Sequence, residues 1–551
     1  MEKIVLVGIN SQYIHTNLAI RYLQKYVEKY SDKKIEIYES NINNQMHTII
    51  SDLFNTEADE IIFSTYIWNK EYVFSIVKEL KKIMPNVIIT LGGPEVSYNS
   101  EESLRKNRAI DYILVGEGER VILNYLTKDR KNIRGVAYLE NDEYKYIGDE
   151  FPIENLDEIP FPYTEEELKE NIKILYYEST RGCPFSCSYC LSSIDKGVRY
   201  WSLERVKEDL NKFISSGVEL VKFVDRTFNL RKDRYLGIWE HLLENYKEGI
   251  TFHFEINANI FDDEVVEFLK KVPEGYFQFE IGVQSINKET MNSINRRNLL
   301  ERLEYNIKSI SKNIHLHVDL IAGLPHDTYE DFKKSLNYVH GLGAEMIQLG
   351  FLKILSGTKI SKEIEEYDYK YMEFTPYEVL SNKFISYGEL VKLKNIEKML
   401  DFYYNSEKFR YTLKFIMENI YTNPFDFYED ISEFYNKKGY LNIGHKMVAI
   451  FNNLVEFYEE KNFEGKDSFI EYLKLDYLLL GKPGSYPEWF KSKKDKDLYN
   501  EIVISKEFKS SREGFKKTEF ERFEFNVITG EKIPVNLFLD YSRKKTKIEI
   551  I

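Results

Sequence analysis

Three cysteines occur in these 551 residues, and all three fall within eight positions: Cys183, Cys187 and Cys190, in the run Arg181-Gly182-Cys183-Pro184-Phe185-Ser186-Cys187-Ser188-Tyr189-Cys190. A disulfide framework uses an even number of cysteines spread along a small secreted chain. A structural zinc site wants a fourth ligand at finger-like spacing. The nearest downstream histidines, His241 and His253, stand about fifty residues or more away, so a zinc centre would have to be assembled from distant parts of the chain. Three thiolates on one short loop can instead ligate three irons of a cubane cluster, leaving the fourth iron open to a substrate or cofactor. An open iron implies chemistry rather than electron storage alone.

The Cys-x3-Cys-x2-Cys spacing, with the aromatic Tyr189 just before the last cysteine, resembles the signature of the radical S-adenosylmethionine (radical SAM) superfamily. That resemblance implies a [4Fe-4S] cluster on Cys183, Cys187 and Cys190, with S-adenosylmethionine chelated to the open iron. It also implies reductive cleavage to methionine and a 5'-deoxyadenosyl radical, an electron donor such as flavodoxin or ferredoxin, and Tyr189 near the adenine. In such proteins the cofactors carry the difficult chemistry, while the polypeptide binds, orients and shields them.

The length points to about three domains. The net charge of −14 argues against an extended nucleic-acid surface, which needs a basic excess; a local basic groove stays open. The longest apolar runs, such as residues 4–9, are strand-sized, so no membrane span is expected, and Met1-Glu2-Lys3 leads straight into that run without the form of a signal peptide. Few cysteines and an oxygen-sensitive cluster point to a reducing, cytoplasmic setting. Heavy use of Tyr, Lys, Ile and Asn resembles the composition of an AT-rich anaerobe.

Over residues 1–150, apolar strand-like runs alternate with amphipathic helical stretches: 3–8 then 17–29, 60–65 then 71–83, 86–91 then 101–106, 112–115 then 119–125. This predicts an α/β, doubly wound parallel sheet of Rossmann-like type, with ligands at the carboxyl ends of its strands. Two such ends read Phe63-Ser64-Thr65-Tyr66 and Leu91-Gly92-Gly93-Pro94-Glu95, and paired glycines let a bulky ligand approach the backbone. With Gly116-Glu117-Gly118-Glu119 behind them, these elements resemble the cobalamin-binding half of the cobalamin-dependent radical SAM enzymes. The resemblance implies contacts to cobalamin from Asn10, His15, Ser64, Thr65, Tyr66, Gly92, Gly93, Glu95, Gly116 and Glu117. The Asp-x-His-x-x-Gly loop that supplies a cobalt-ligating histidine in many cobalamin proteins is missing here. His15 either reaches the corrin or simply hydrogen-bonds its neighbours.

Residues 151–170, with Pro152, Pro160 and Pro162 among acids, read as a linker. Over 171–364, strand candidates at 174–178, 220–225, 251–256, 276–283, 315–322 and 346–352 alternate with helices and suggest the partial (β/α)6 barrel of the superfamily, with function at the strand carboxyl ends. Polar residues gather there: Asp225 with Thr227 and Asn229, Glu255 with Asn257, Glu280-Ile281-Gly282-Val283-Gln284-Ser285, Asp319, and the turn Gly323-Leu324-Pro325. By resemblance, S-adenosylmethionine would be lined by Tyr189, Asp225, Glu255, Glu280, Gln284, Ser285, Arg296, Gly323 and Leu324. Glu280 has a second reading as an ion-pair partner inside the barrel, and Arg296 could pair with Glu280 or with the methionine carboxylate.

Residues 365–551 carry helical periodicity over 383–404 and 408–420 and two strand-like stretches at 522–526 and 533–540. A similar region of unknown function follows the barrel in some relatives, and a mostly helical C-terminal domain is expected. The resemblance implies a cobalamin-dependent radical SAM enzyme, and the leading expectation is one that methylates an unactivated carbon of a small-molecule or peptide substrate. A ring-forming relative resembling the anaerobic porphyrin cyclases and a non-catalytic cobalamin or redox sensor are the other readings. The additional N-terminal cysteines of radical methylthiotransferases are absent.

Overall fold

The computed structural model describes residues 2–169, 174–194, 197–297, 299–506, 508, 510–543 and 546–551. The boundary expected at 170/171 lies outside the described residues. Two compact units divide the chain: Met1–Asp331 with Gly350–Ser386, and Phe332–Leu349 with Tyr387–Ile551. The boundary expected at 364/365 thus falls inside a stretch of the first unit.

The first unit opens with a seven-stranded sheet: β1 (Ile4–Asn10), β2 (Ile35–Asn41), β3 (Glu60–Ser64), β4 (Ile88–Gly92), β5 (Tyr112–Leu114), β6 (Val136–Glu140) and β7 (Glu143–Tyr146), in the order β2-β1-β3-β4-β5-β6-β7. β1 to β5 run parallel, and β6 and β7 are added antiparallel. β1, Ile-Val-Leu-Val-Gly-Ile-Asn, is buried along its whole length. Val5 and Val7 join Ile61, Phe63 and Ile89 in one apolar cluster, while Ile4 and Leu6 join Ile62, Val121 and Ile122 in another. A strand covered by helices on both faces needs such a run. The sheet order reverses between β1 and β3, which makes their carboxyl ends the topological switch point where ligands of such sheets bind.

Within the same unit, strands Leu175–Tyr177, Leu220–Phe223, Thr251–Ile256, Phe277–Gln284 and His315–Ala322 pair in parallel, and a sixth strand, Met346–Phe351, straddles the boundary between the units. All six expected strands form, with ends displaced by two residues or fewer. Helices separate them, and their ends follow capping chemistry. Ser202 accepts from the Arg205 amide at the start of Leu203–Ser216, Gly217 closes that helix at φ 81°, and Asp262 accepts from the Val265 amide. One face of the sheet is apolar, with Phe277 and Phe279 packed under Trp239. Along the other face stand Gln278, Glu280, His317 and Asp319, each alternating with a buried apolar neighbour.

The second unit is mostly helical, as expected, with helices that include Tyr387–Met399, Arg410–Asn419, Pro424–Lys437, Met447–Glu460 and Lys466–Leu479. Its three-stranded antiparallel sheet is Thr518–Phe523, Val535–Asp540 and Lys547–Ile550. The expected pair of strands starts four residues earlier than the aromatic run suggested, and the third strand was not foreseen. Among the described residues no helix is long and apolar enough to cross a membrane.

Candidate functional site

The cysteine loop leaves the first strand of the second sheet and is closed at its base by backbone pairing of Thr180 with Tyr200 and Arg181 with Arg199. Gly182 sits at φ 92°, and a Cβ there would lie 2.0 Å from the Gly197 carbonyl, so no other residue fits that position. Asp225 lies beneath this base. Fully buried, it accepts from the Ser179 amide at 3.0 Å and from the hydroxyls of Ser179 and Thr180 at 2.7 and 2.6 Å. Cys187 is buried, with its thiol pKa raised by desolvation, while Cys183 and Cys190 are half-buried. Cys183 Sγ lies 4.0 Å from the Thr227 hydroxyl.

A cavity of about 540 Å³ opens beside the loop. Cys187, Glu255, Glu280, Gln284, Arg296 and Asp319 belong to its wall. The three carboxylates come from three adjacent strands, Glu255 in register with Glu280 and Gly282 with Asp319. Glu280 receives His253 Nε2 at 3.1 Å and Lys222 Nζ at 3.0 Å, and these bonds hold its pKa down at about 2. Among the described residues no cation bonds directly to Glu255 or Asp319, although the charges of Arg226 and Lys222 act on the first and those of Lys222 and Arg296 on the second. Desolvation, then the charge of Glu280, raises them to about 7 and about 8. Asp319 Oδ1 and Gln284 Oε1 are buried without hydrogen-bond partners, so two acceptors are left for an occupant that donates.

At the edge of the first sheet, the loops after β1, β3 and β4 meet. The Thr65 amide donates to the Gly92 carbonyl at 2.7 Å. Gly93 sits at φ 106°, where a Cβ would lie 2.5 Å from the Thr65 carbonyl, whereas a Cβ on Gly92 would find its nearest neighbours at 3.7 Å. The Thr65 hydroxyl is buried without a partner, and Tyr66 stacks on the exposed Trp68.

Three family profiles match successive parts of this chain: the B12 binding domain at residues 4–126, the Radical SAM superfamily at 177–339, and a protein family of unknown function, DUF4080, at 365–538. A B12-binding domain and a radical SAM domain thus lie in succession along this chain. It is similar to an uncharacterised methyltransferase of Pyrococcus horikoshii, 26% identical over 62% of this chain and 77% of that one. It is also similar to the cobalamin-dependent radical SAM methyltransferase TokK of Streptomyces tokunonensis, 24% identical over 66% of this chain, of whose length it spans only 57%. The solved structure of the cobalamin-dependent S-adenosylmethionine radical enzyme OxsB, with aqua-cobalamin and S-adenosylmethionine bound, superposes with a TM-score of 0.59 at 18% identity over 87% of this chain and 79% of that one.

The donor set of the radical SAM domain fits a three-cornered cluster: three thiols on one loop, with Cys187 on the cavity wall. Among the described residues no three of His, Cys, Asp and Glu form a cage for a single ion. A cubane asks for something else, one thiolate per iron. Glu255, Glu280, Gln284 and Arg296 gather in the cavity, and Asp319, noted in the sequence as a strand-end acid, stands with them. Four of the expected S-adenosylmethionine contacts are placed otherwise. Asp225 is spent on the loop base. Ser285 is fully buried and donates to Asp327 at 2.9 Å. The Gly323 carbonyl accepts from Tyr369 and Asn382, and Leu324 is core. Among the described residues Arg296 pairs with neither Glu280 nor another carboxylate. It donates to the Gly282 carbonyl at 2.5 Å and lies 3.4 Å from the hydroxyl of half-buried Tyr189. The sequence reading missed Arg226 and Arg297 on the cavity wall; the doublet Arg296-Arg297 was the available signal.

The candidate cobalamin residues divide in a similar way. Thr65, Tyr66, Gly92 and Gly93 sit at the switch-point edge, and Gly116, at φ 85°, has open space around its Cα. Asn10 and Ser64 are there too, but Asn10 bonds to the His15 carbonyl and Glu39, and Ser64 to Asn17. His15 Nδ1 faces the Tyr176 hydroxyl at 2.5 Å, which is the neighbour-bonding alternative. Glu95 accepts from Tyr377 at 3.0 Å, and Glu117 pairs with Arg199. Charged and ring side chains that read as ligand contacts thus serve as ties within the unit, because a half-buried charge is stable only beside a partner.

Proposed function

We propose that this chain is a cobalamin-dependent radical SAM methyltransferase, an enzyme that cleaves S-adenosylmethionine reductively and methylates an unactivated carbon. The observation that carries the reading is the coexistence, in one compact unit, of the three-cysteine loop beside an acceptor-rich cavity and of the Thr65, Gly92 and Gly93 edge at a sheet switch point. When bound, the cluster supplies the electron for cleavage, S-adenosylmethionine the radical, and cobalamin the methyl group. Cys183, Cys187 and Cys190 would hold the cluster, and the Thr65 to Tyr66 and Gly92-Gly93 loops the corrin.

The chain's own residues would do the rest. Glu280, kept ionised by His253 and Lys222, presents a fixed negative charge, whereas Glu255 and Asp319 are positioned to accept from or, when protonated, donate to a ligand. Thr227 and the exposed guanidinium of Arg226 complete one side of the mouth. The substrate is a small molecule or peptide, and a flavodoxin or ferredoxin supplies the electron. The test is anaerobic reconstitution with iron, sulfide and hydroxocobalamin, followed by quantified metals and an assay for 5'-deoxyadenosine. Four irons and one cobalt per chain with cleavage of S-adenosylmethionine support the reading. Four irons without cobalt remove the corrin from it.

A further inference from the structure

The loop of the three cysteines and the loop after β5 are joined by two guanidinium–carboxylate pairs that neither the cluster nor the corrin assignment explains. Glu119 stands in the first turn of helix Gly118–Thr127 and is 4% exposed. Its two oxygens accept from Arg181 Nη2 at 2.5 Å and Nη1 at 3.2 Å, a bidentate fork. Arg181 Nε donates to Glu178 at 3.0 Å, and the guanidinium lies over the ring of Trp201. Glu117 forms the second fork with Arg199, whose Nη1 also donates to the Ile153 carbonyl at 2.6 Å, while the Ile153 amide returns a bond to Glu117 at 3.3 Å.

The place of these pairs matters more than their number. Arg181 and Arg199 face each other across the backbone pairing that closes the cysteine loop, so one guanidinium grips the strand entering the loop and the other the strand leaving it. Both carboxylates come from the same short loop and helix start, where the helix dipole favours a negative charge. That helix start is itself seated tightly: a Cβ on Gly118 would lie 2.7 Å from Leu23 Cδ2 of helix Leu18–Tyr30. Arginine stays charged at every accessible pH, and removing one partner of a buried pair leaves the other uncompensated. Here, without Glu119, Arg181 would keep Glu178 at 3.0 Å and Glu117 at 3.7 Å, so what is lost is the bidentate tie to the helix start.

We infer that Glu117 and Glu119, through Arg199 and Arg181, are positioning residues that register the cysteine loop against the edge of the first sheet. They set how the cluster-bearing loop is held relative to the B12-binding domain without touching either cofactor. The inference stands on the pairs themselves for its mechanical part and on the proposed function for its cofactor part, and two measurements separate the two.

The first is amide hydrogen exchange on the full chain without added cofactors, comparing wild type with Glu119→Gln and, as the milder variant, Glu117→Gln. Exchange in 179–190 is expected to quicken at least tenfold while strand Thr251–Ile256 keeps its protection. Unchanged exchange in the cysteine loop of either variant overturns the clasp. The second uses the reconstituted chain with reduced cluster and cob(II)alamin, and reads the distance between the two spins by pulsed dipolar spectroscopy. Glu119→Gln is expected to keep its iron and cobalt but to at least double the width of the distance distribution, and Arg181→Lys, which keeps the charge but cannot form the fork, to broaden it as well. A loaded variant with the wild-type distribution overturns the positioning role. Wild type that takes up iron but no cobalt would defeat the proposed function, and the exchange result would still decide the clasp.

Discussion

The two parallel sheets of the first unit use the same alternation of strand and helix for opposite purposes. β1 is apolar on both faces, so the first sheet can display chemistry only where its strands end. The second sheet is apolar on one face alone, and its other face carries Lys222, Glu255, Gln278, Glu280, His317 and Asp319 along the strands themselves. The lesson is that a doubly covered sheet positions backbone and short side chains for a ligand at its edge. A curved sheet with one open face can instead hold several titratable groups close enough to change one another's charge.

The sharpest way to break the comparison is at the cysteines. Replacing Cys183, Cys187 and Cys190 together by alanine should abolish cluster incorporation and S-adenosylmethionine cleavage while leaving cobalamin uptake at the first sheet intact; an iron content equal to wild type would refute the ligand assignment. Next come the two faces of the second sheet. Phe279 is fully buried against Trp239, and Phe279→Ala should cost about 3–5 kcal/mol in denaturant unfolding. Gln278→Ala, on the open face, loses a hydrogen bond to His317 and should cost about 1 kcal/mol. Equal losses would mean that both faces are core.

At the edge of the first sheet, Gly93→Ala must take up φ 106° and push against the Thr65 carbonyl, a cost of about 1–3 kcal/mol. Gly92→Ala meets ordinary contacts within the protein and should change the thermal midpoint little while weakening corrin uptake at the edge proposed to hold it. A reversed order would show that Gly92, rather than Gly93, is the position fixed by backbone packing. The last test is one of pH. Asp319 and Glu255 keep protons in the folded state up to about 8 and about 7, whereas in the unfolded chain such groups titrate near 3.9 and 4.3. The folded state therefore binds more protons across that window, and its stability falls as pH rises from about 4 to about 8. Asp319→Asn should melt a few degrees above wild type at pH 8 and converge with it near pH 4. Parallel melting curves would place Asp319 in water rather than in the desolvated wall.

Much of the fold was legible because hydrophobic period survives without tertiary context. The six strands of the second sheet were each bounded by polar or glycine-containing turns, and buried apolar residues alternate along strands such as Phe277–Gln284 and His315–Ala322. β2 escaped because Ile-Glu-Ile-Tyr-Glu-Ser-Asn is a sheet-edge strand with one wet side. The β6–β7 hairpin escaped although Asn141-Asp142, both at positive φ, is the kind of two-residue connection that favours tight hairpins. The cysteine loop was legible for a chemical reason, since no packing role asks for three thiols in eight positions.

The division of labour among the polar strand ends was not legible. Asp225, Glu95, Glu117 and Glu255 are all acids beside presumptive ligand loops, and the sequence treats them alike. The structure spends Asp225 on Ser179 and Thr180, Glu95 on Tyr377 and Glu117 on Arg199, and leaves Glu255 facing the cavity. By itself the sequence determined most of the elements, because local period and turn chemistry act over a few residues, and it marked the cysteine loop as the proposed seat of a cluster, because thiolate chemistry is written in residue identity. Only the tertiary structure decided which charges are partners and which are left over, since a carboxylate's role depends on what stands within about 4 Å of it, and those neighbours arrive from tens to hundreds of residues away.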